Sequence, residues 1–202
     1  MDLAASQLIK LYMETQILIG NIYYAPTPEA RLLDALNGLA DMGPIKRGKF
    51  LELNNVTISH DDGKVEKLAS SYVNRSTVHL AATLGDSNAG RGIGAHPGLK
   101  PYPYVEKNPL LVRLETQKYF IIGNMYRHDS QKVWNILEDT LVFLPLTQAD
   151  VTNRTTGQKE AIPFVAINKE HIVSLHEESR FLKPGSVRAP EGKKSPDTGK
   201  GK

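Results

Sequence analysis

The chain has 202 residues, 40% of them hydrophobic, and a formal net charge of +3; this fits one or two globular domains and excludes disordered and fibrous classes. It contains no cysteine, which excludes a disulfide framework, a thiolate metal site and a thiol nucleophile. The charge is uneven: from Arg180 to Lys202 seven cations face two acids, a local +5 that leaves the rest of the chain at about −2.

The opening MDLAASQLIKLYMETQ carries Asp2 and Lys10. It lacks the basic start and the apolar core of about 7–15 residues of a secretory signal. No stretch approaches the ~20 apolar residues of a spanning helix, so the chain is expected to be soluble and cytoplasmic, without a membrane span. ETQILIGNIYY (Glu14 to Tyr24) then alternates branched or aromatic residues with small or polar ones, the pattern of a strand. Both of its sides are mostly apolar, as in a central strand, and Gly20 marks a bend or a close backbone approach. RLLDALN (Arg31 to Asn37) places Leu32, Leu33 and Leu36 on one stripe of a short helix, with Pro28 suited to its entry and Gly38 to its exit. GLADMGPIKRGK (Gly38 to Lys49) reads as an exposed loop that gathers Lys46, Arg47 and Lys49. A three-stranded meander follows, turning first at Asp61-Asp62-Gly63-Lys64 and then at Asn74-Arg75.

Residues 83–109 are rich in glycine and proline and lack apolar periodicity, which marks a boundary between modules. GRGIG (Gly90 to Gly94) is followed by His96-Pro97-Gly98, so no helix opens after it and no dinucleotide fingerprint is formed. KPYPYVEKNP reads as an extended polyproline-type segment with Tyr102 and Tyr104 as apolar anchors.

The pattern then returns. ETQKYFIIGNMYR (Glu115 to Arg127) matches the first strand and reads as two residues longer. KVWNILE overlies RLLDALN, with Val133, Trp134 and Leu137 on the apolar stripe, Trp134 packed in the core, and Asp129 or Ser130 as cap. FLPLTQ overlies FLELNN, TTGQ overlies DDGK, and Asn168-Lys169 overlies Asn74-Arg75. Five blocks matched in one order define an internal repeat. The divisions are residues 1–83 as a first β module, 84–110 as linker, 111–180 as a second module and 181–202 as a basic tail. That tail, with Lys193 and Lys194, has the composition of disorder. It either solubilises the protein or meets nucleic acid, anionic lipid or an acidic protein. A module of about 70 residues buries too little surface to be comfortable alone, so the two are expected to pack together or with further copies.

Chemistry is harder to find. The six histidines form no HExxH, HxH or other compact ligand spacing. No serine stands in a GxSxG elbow, and the carboxylate pairs Asp61-Asp62 and Glu177-Glu178 have no evident partner base. No catalytic, cofactor or metal site is assigned, and the protein is read as not an enzyme.

The repeated blocks, with IGNIY and IGNMY, RLLDALN, FLPLTQADVT and FVAINKEHI, resemble a bacterial family of uncharacterised proteins with I-x-G, R-L-x-D-x-L-N, F-L-x-L-T-D-A and F-V-A-V-N-K segments. The order of elements is also similar to the Sm/Lsm small β-barrel, whose members form rings and often bind RNA. That likeness implies a mainly β fold with short helices, built as two tandem Sm-like barrel or half-barrel modules. The corresponding RNA pocket is matched only in part: Asp34-Ala35-Leu36-Asn37 is one residue short, and Asn74-Arg75 and Asn168-Lys169 lack the family's glycine.

Three functions follow from this reading. The first is an assembly or adaptor subunit that engages itself or a larger protein complex through sheet edges, linker and tail. The second is nucleic-acid binding through the Sm-like modules and the basic tail, and the third a small-molecule or hydrolytic enzyme with a site between the modules. Candidate partner or nucleic-acid contacts are Lys46, Arg47, Lys49, Arg75, Tyr102, Tyr104, Arg127, Lys169, Lys193 and Lys194.

Overall fold

The structure is a computed structural model, which describes residues 5–24, 32–37, 49–84 and 107–178. Lys46, Arg47, Tyr102, Tyr104, Lys193 and Lys194, with Pro28, Gly38, the GRGIG segment and the tail, lie outside the described residues. The fold is mainly β. In the first half β1 (Ala5–Tyr12) and β2 (Gln16–Tyr24) precede a one-turn helix α1 (Leu32–Leu36), then β3 (Phe50–His60), β4 (Val65–Asn74) and β5 (Leu80–Thr83). The second half repeats that order as β6 (Asn108–Thr116), β7 (Tyr119–Arg127), α2 (Val133–Leu137), β8 (Phe143–Asn153), β9 (Lys159–Asn168) and β10 (Ile172–Glu177). Asn108 to Leu110, read from the sequence as linker, already belong to β6.

The ten strands of the described residues form one antiparallel sheet in the order β10-β6-β7-β8-β9-β5-β1-β2-β3-β4. The halves are therefore joined edge to edge, through β9 and β5. Their registers coincide pair by pair. Ile9 opposes Gly20 as Val112 opposes Gly123, and Gln16 opposes His60 as Tyr119 opposes Asn153. Phe50 opposes Asn74 as Phe143 opposes Asn168, and Tyr12 opposes Leu80 as Glu115 opposes Ser174.

This register corrects the expected extra length of the second strand. Tyr12 faces Ile17 and Glu115 faces Phe120, so both hairpins have the same loop and both return strands have nine residues. Glu14 therefore stands where Gln117 stands, and the two ETQ triplets are two residues out of step. The strand ahead of that turn, β1 or β6, is an element beyond the strand, helix and meander expected of each half.

Each half has a register shift between its return strand and the strand after the helix, and the second half has another between Ile172 and Ser174, where β10 meets β6. Asn55 and Gln148 hold φ of 53° and 50°, beside register shifts between β2 and β3 and between β7 and β8. A single inserted residue of this kind sharpens the local twist. The facing glycines permit the approach: a Cβ on Gly20 would sit 3.2 Å from the Asn54 carbonyl, and one on Gly123 3.1 Å from the Ala149 Cβ. The hairpin turns hold Gly63 and Gly157 at positive φ, as the DDGK and TTGQ segments suggested.

Each half wraps its own core, and strand alternation lets the junction strands serve both. Ala81 and Ala166 enter the first core with Leu11, Leu53 and Val73. Their neighbours Leu80, Ala82, Val165 and Ile167 enter the second with Leu114, Ile121 and Leu146. The cores thus lie on opposite faces of the sheet where the halves meet. This explains why LAAT and FVAIN are apolar at consecutive positions.

The helices differ from expectation in two respects. Lys132 is the N-cap residue of α2 and makes no side-chain cap bond, while Asp129 accepts from the Asn108 amide instead. Val133 and Ile136 are buried, but Trp134 is 67% exposed and is not a core residue.

Candidate assembly interface

The junction shows how this chain seals one sheet edge against another. Leu80, Ala81 and Ala82 on β5 oppose Ile167, Ala166 and Val165 on β9. The ladder continues with the Asn168 N–H donating to the His79 carbonyl at 2.9 Å. Asn168 is fully buried. Its Nδ2 donates to the Val78 carbonyl at 3.0 Å, and its Oδ1 accepts from the Glu170 N–H at 3.0 Å. Next to it, the Asn37 side chain after α1 accepts from the Phe143 N–H at 2.8 Å. Phe143 is 1% exposed and belongs to the first half's core, although its strand belongs to the second.

Charged groups close the ends of the junction. Lys10 Nζ lies 2.7 Å from Glu160 Oε2, and the Tyr12 hydroxyl donates to the same oxygen at 2.8 Å. Burial, then the bond to Glu160, push the Tyr12 phenol well above the usual tyrosine range. It stays a donor. The buried Lys118 ammonium donates to Asp61 and to the Glu14 carbonyl.

Beside these groups the His79 and His171 rings stack with centroids 3.9 Å apart. They line a cleft of about 550 Å³ together with Glu14, Ser76, Thr77 and Glu170. His171 Nε2 lies 2.8 Å from the Ser76 carbonyl, which makes that nitrogen the donor. Ser76 Oγ donates to Asn74 Oδ1, so its hydroxyl is directed to an amide oxygen and not to an imidazole. Among the described residues no three His, Cys, Asp or Glu side chains gather as a metal site.

His79 is 4% exposed and its Nδ1 has no hydrogen-bond partner among the described residues. Burial lowers its pKa from the ordinary 6.5, and the facing His171 lowers it further; the Glu14 carboxylate raises it and Lys118 lowers it. The Tyr119 ring stands edge-on to it at 6.4 Å. A base held below its unfolded pKa takes up its proton more readily when unfolded. Its contribution to stability is therefore present above about pH 6.5 and lost as pH falls through the depressed value. Chemical denaturation between pH 8 and pH 5 checks this. Relative to the native chain, His79→Phe is expected to gain stability as pH falls, whereas a difference independent of pH would contradict it.

The outer strands have the opposite condition. Among the described residues β4 and β10 each pair on one side only. On and beside β4, Val65, Leu68, Tyr72 (68%) and Phe50 (52%) are exposed; Val173 on β10 and Trp134 on α2 are exposed as well. Bare edges with apolar side chains invite strand addition.

The cations nominated from sequence are placed as follows. Arg75 Nη1 donates to the Ala35 and Leu36 carbonyls at the end of α1, and Lys169 Nζ to the Ile136 and Asp139 carbonyls at the end of α2. Both satisfy carbonyls that a helix end leaves unpaired. Arg127 donates to the Gln131 carbonyl. Lys49 is exposed, and its carbonyl accepts from the Arg75 N–H. These four do not converge on one surface site through any of these bonds. Sequence reading missed Asn37, Phe143, Glu160 and the stacked histidines; the repeated Asn74 and Asn168 were the available signal.

Among the described residues no helix is long and apolar enough to cross a membrane. Compared with protein-family models, curated proteins and solved structures, the chain matches none.

Proposed function

We propose that this protein is a non-enzymatic assembly subunit. It consists of two Sm-like half-barrel modules, arisen by duplication, that engage protein partners through the outer strands of the sheet. The observation that carries this reading is the junction: the chain already joins one β4-type edge to one β5-type edge within itself, and among the described residues one edge of each type is left unpaired. Main-chain hydrogen bonds supply affinity in such strand addition, and the side chains along the edge supply selectivity. Arg75 and Lys169 support it by their positions, since both are used on helix ends rather than held out for phosphate. Light scattering on the size-excluded full chain tests it. Masses above the 22.4 kDa of one chain, rising with concentration or with a co-purified partner, are expected. A mass fixed at one chain, with no protein partner, would contradict it.

A further inference from the structure

The open edges specify their occupant. We infer that β4 of one chain pairs with β10 of a second copy, head to tail, in the register that joins β9 to β5 inside each chain; this rests on the assembly reading. Because the halves coincide pair by pair, the junction can be transposed residue by residue. Leu80 opposite Ile167 becomes Ser174 opposite Val73, and Ala81 opposite Ala166 becomes Leu175 opposite Tyr72. Ala82 opposite Val165 becomes His176 opposite Ser71.

The exposed apolar residues then find places. Phe50 stands where Phe143 stands, as Asn74 and Asn168 opposite them show. Phe143 enters the core of the neighbouring half beside α1, so Phe50 enters the second core of the next copy beside α2. Trp134 corresponds to Leu33: each carbonyl accepts the N–H four residues on, from Glu138 and Asn37 respectively. Leu33 packs against the core that holds Phe143, which brings Trp134 of one copy against Phe50 of the next. Tyr72 takes the place of Ala166 beside Leu175, which already packs on the second core.

The polar groups agree. Lys10 and Glu160 at the junction correspond to Arg113 and Glu66, again a cation facing an acid. The Asn74 amide gains the Ile172 carbonyl, as Asn168 has Val78. Buried Lys118 and its exposed partner Asp61 correspond to Thr15 and Arg154, so no like charges meet there. Such a contact uses different patches on the two copies, so repetition generates a closed ring or an open filament.

The bond from Asn168 to His79 fixes which pairs face each other without hydrogen bonds, since these alternate along an antiparallel ladder. Ser71 and His176 fall on such a pair, with the short Cα separation that a disulfide needs. The chain has no cysteine, so Ser71→Cys and His176→Cys chains, mixed and oxidised with diamide, carry only the introduced thiols. A cross-linked dimer of one chain of each is expected. Mixing Ser71→Cys with Ser174→Cys, two residues out of register, is expected to cross-link at least tenfold more slowly.

Equal rates, or no cross-link, would overturn the inference. If the native chain is nevertheless larger than 22.4 kDa, the assembly reading stands and only the partner or register is wrong. If it is also monomeric, both fall. Trp134, the single tryptophan, gives a readout without cysteine variants. Its emission is expected to shift to shorter wavelength as the chain is concentrated, and Phe50→Ser is expected to abolish the shift. A spectrum independent of concentration would count against the contact.

Discussion

Phe143→Ala is expected to lower the unfolding free energy by about 3–5 kcal/mol, as for other large-to-small changes at a buried aromatic site. The same change at Phe50, measured in the dilute single chain, is expected to cost less than about 1 kcal/mol. The two phenylalanines occupy corresponding register positions, yet Phe143 is sealed by the junction and Phe50 is 52% exposed at an open edge. Urea denaturation of both variants measures the contrast. Comparable losses would mean that the junction does not bury Phe143 as described.

Asn168→Ala is expected to cost about 2–4 kcal/mol, because it strands the buried Val78 carbonyl and leaves the Glu170 N–H without its acceptor. Asn74→Ala removes only the bonds to Ser76 that cap the short 3-10 turn Arg75–Thr77, for about 1 kcal/mol, the usual cost of a lost cap. Since Asn74 is proposed to meet the next copy, its substitution is also expected to weaken self-association, which the Asn168 change should affect only through folding. Denaturation paired with light scattering separates the two effects.

Much of the architecture was legible because strands, turns and helix stripes depend on local pattern. IGNIY and IGNMY alternated, DDGK and TTGQ held the turn glycines, and the Asn-Arg and Asn-Lys pairs marked the second turn. The first strand of each half was missed because Met13 to Gln16 has neither glycine nor proline, so the run through ETQ reads as one strand. The shared triplet then misled the alignment, since sequence identity prevailed over register. Trp134 shows a deeper limit. It was read onto the buried stripe, whereas the helix buries Val133 and Ile136 and leaves Trp134 exposed. Composition carries no mark of an edge being sealed by another strand. Arg75 and Lys169 carried a usable signal of another kind: a cation at one place in both halves serves what both halves share, here the carbonyls closing a one-turn helix.

The most direct measurement of the proposed edge pairing is hydrogen exchange followed against concentration. By the ladder's alternation, the amides of Tyr72 and Asn74 on β4, and of Leu175 and Glu177 on β10, point away from the neighbouring strand that pairs with each among the described residues. They should exchange quickly in the dilute chain and become protected together, by at least tenfold, as the mass rises. Amides facing inward, such as those of Val73 and Glu178, should change little. Unprotected edge amides in a sample of demonstrably higher mass would contradict the account.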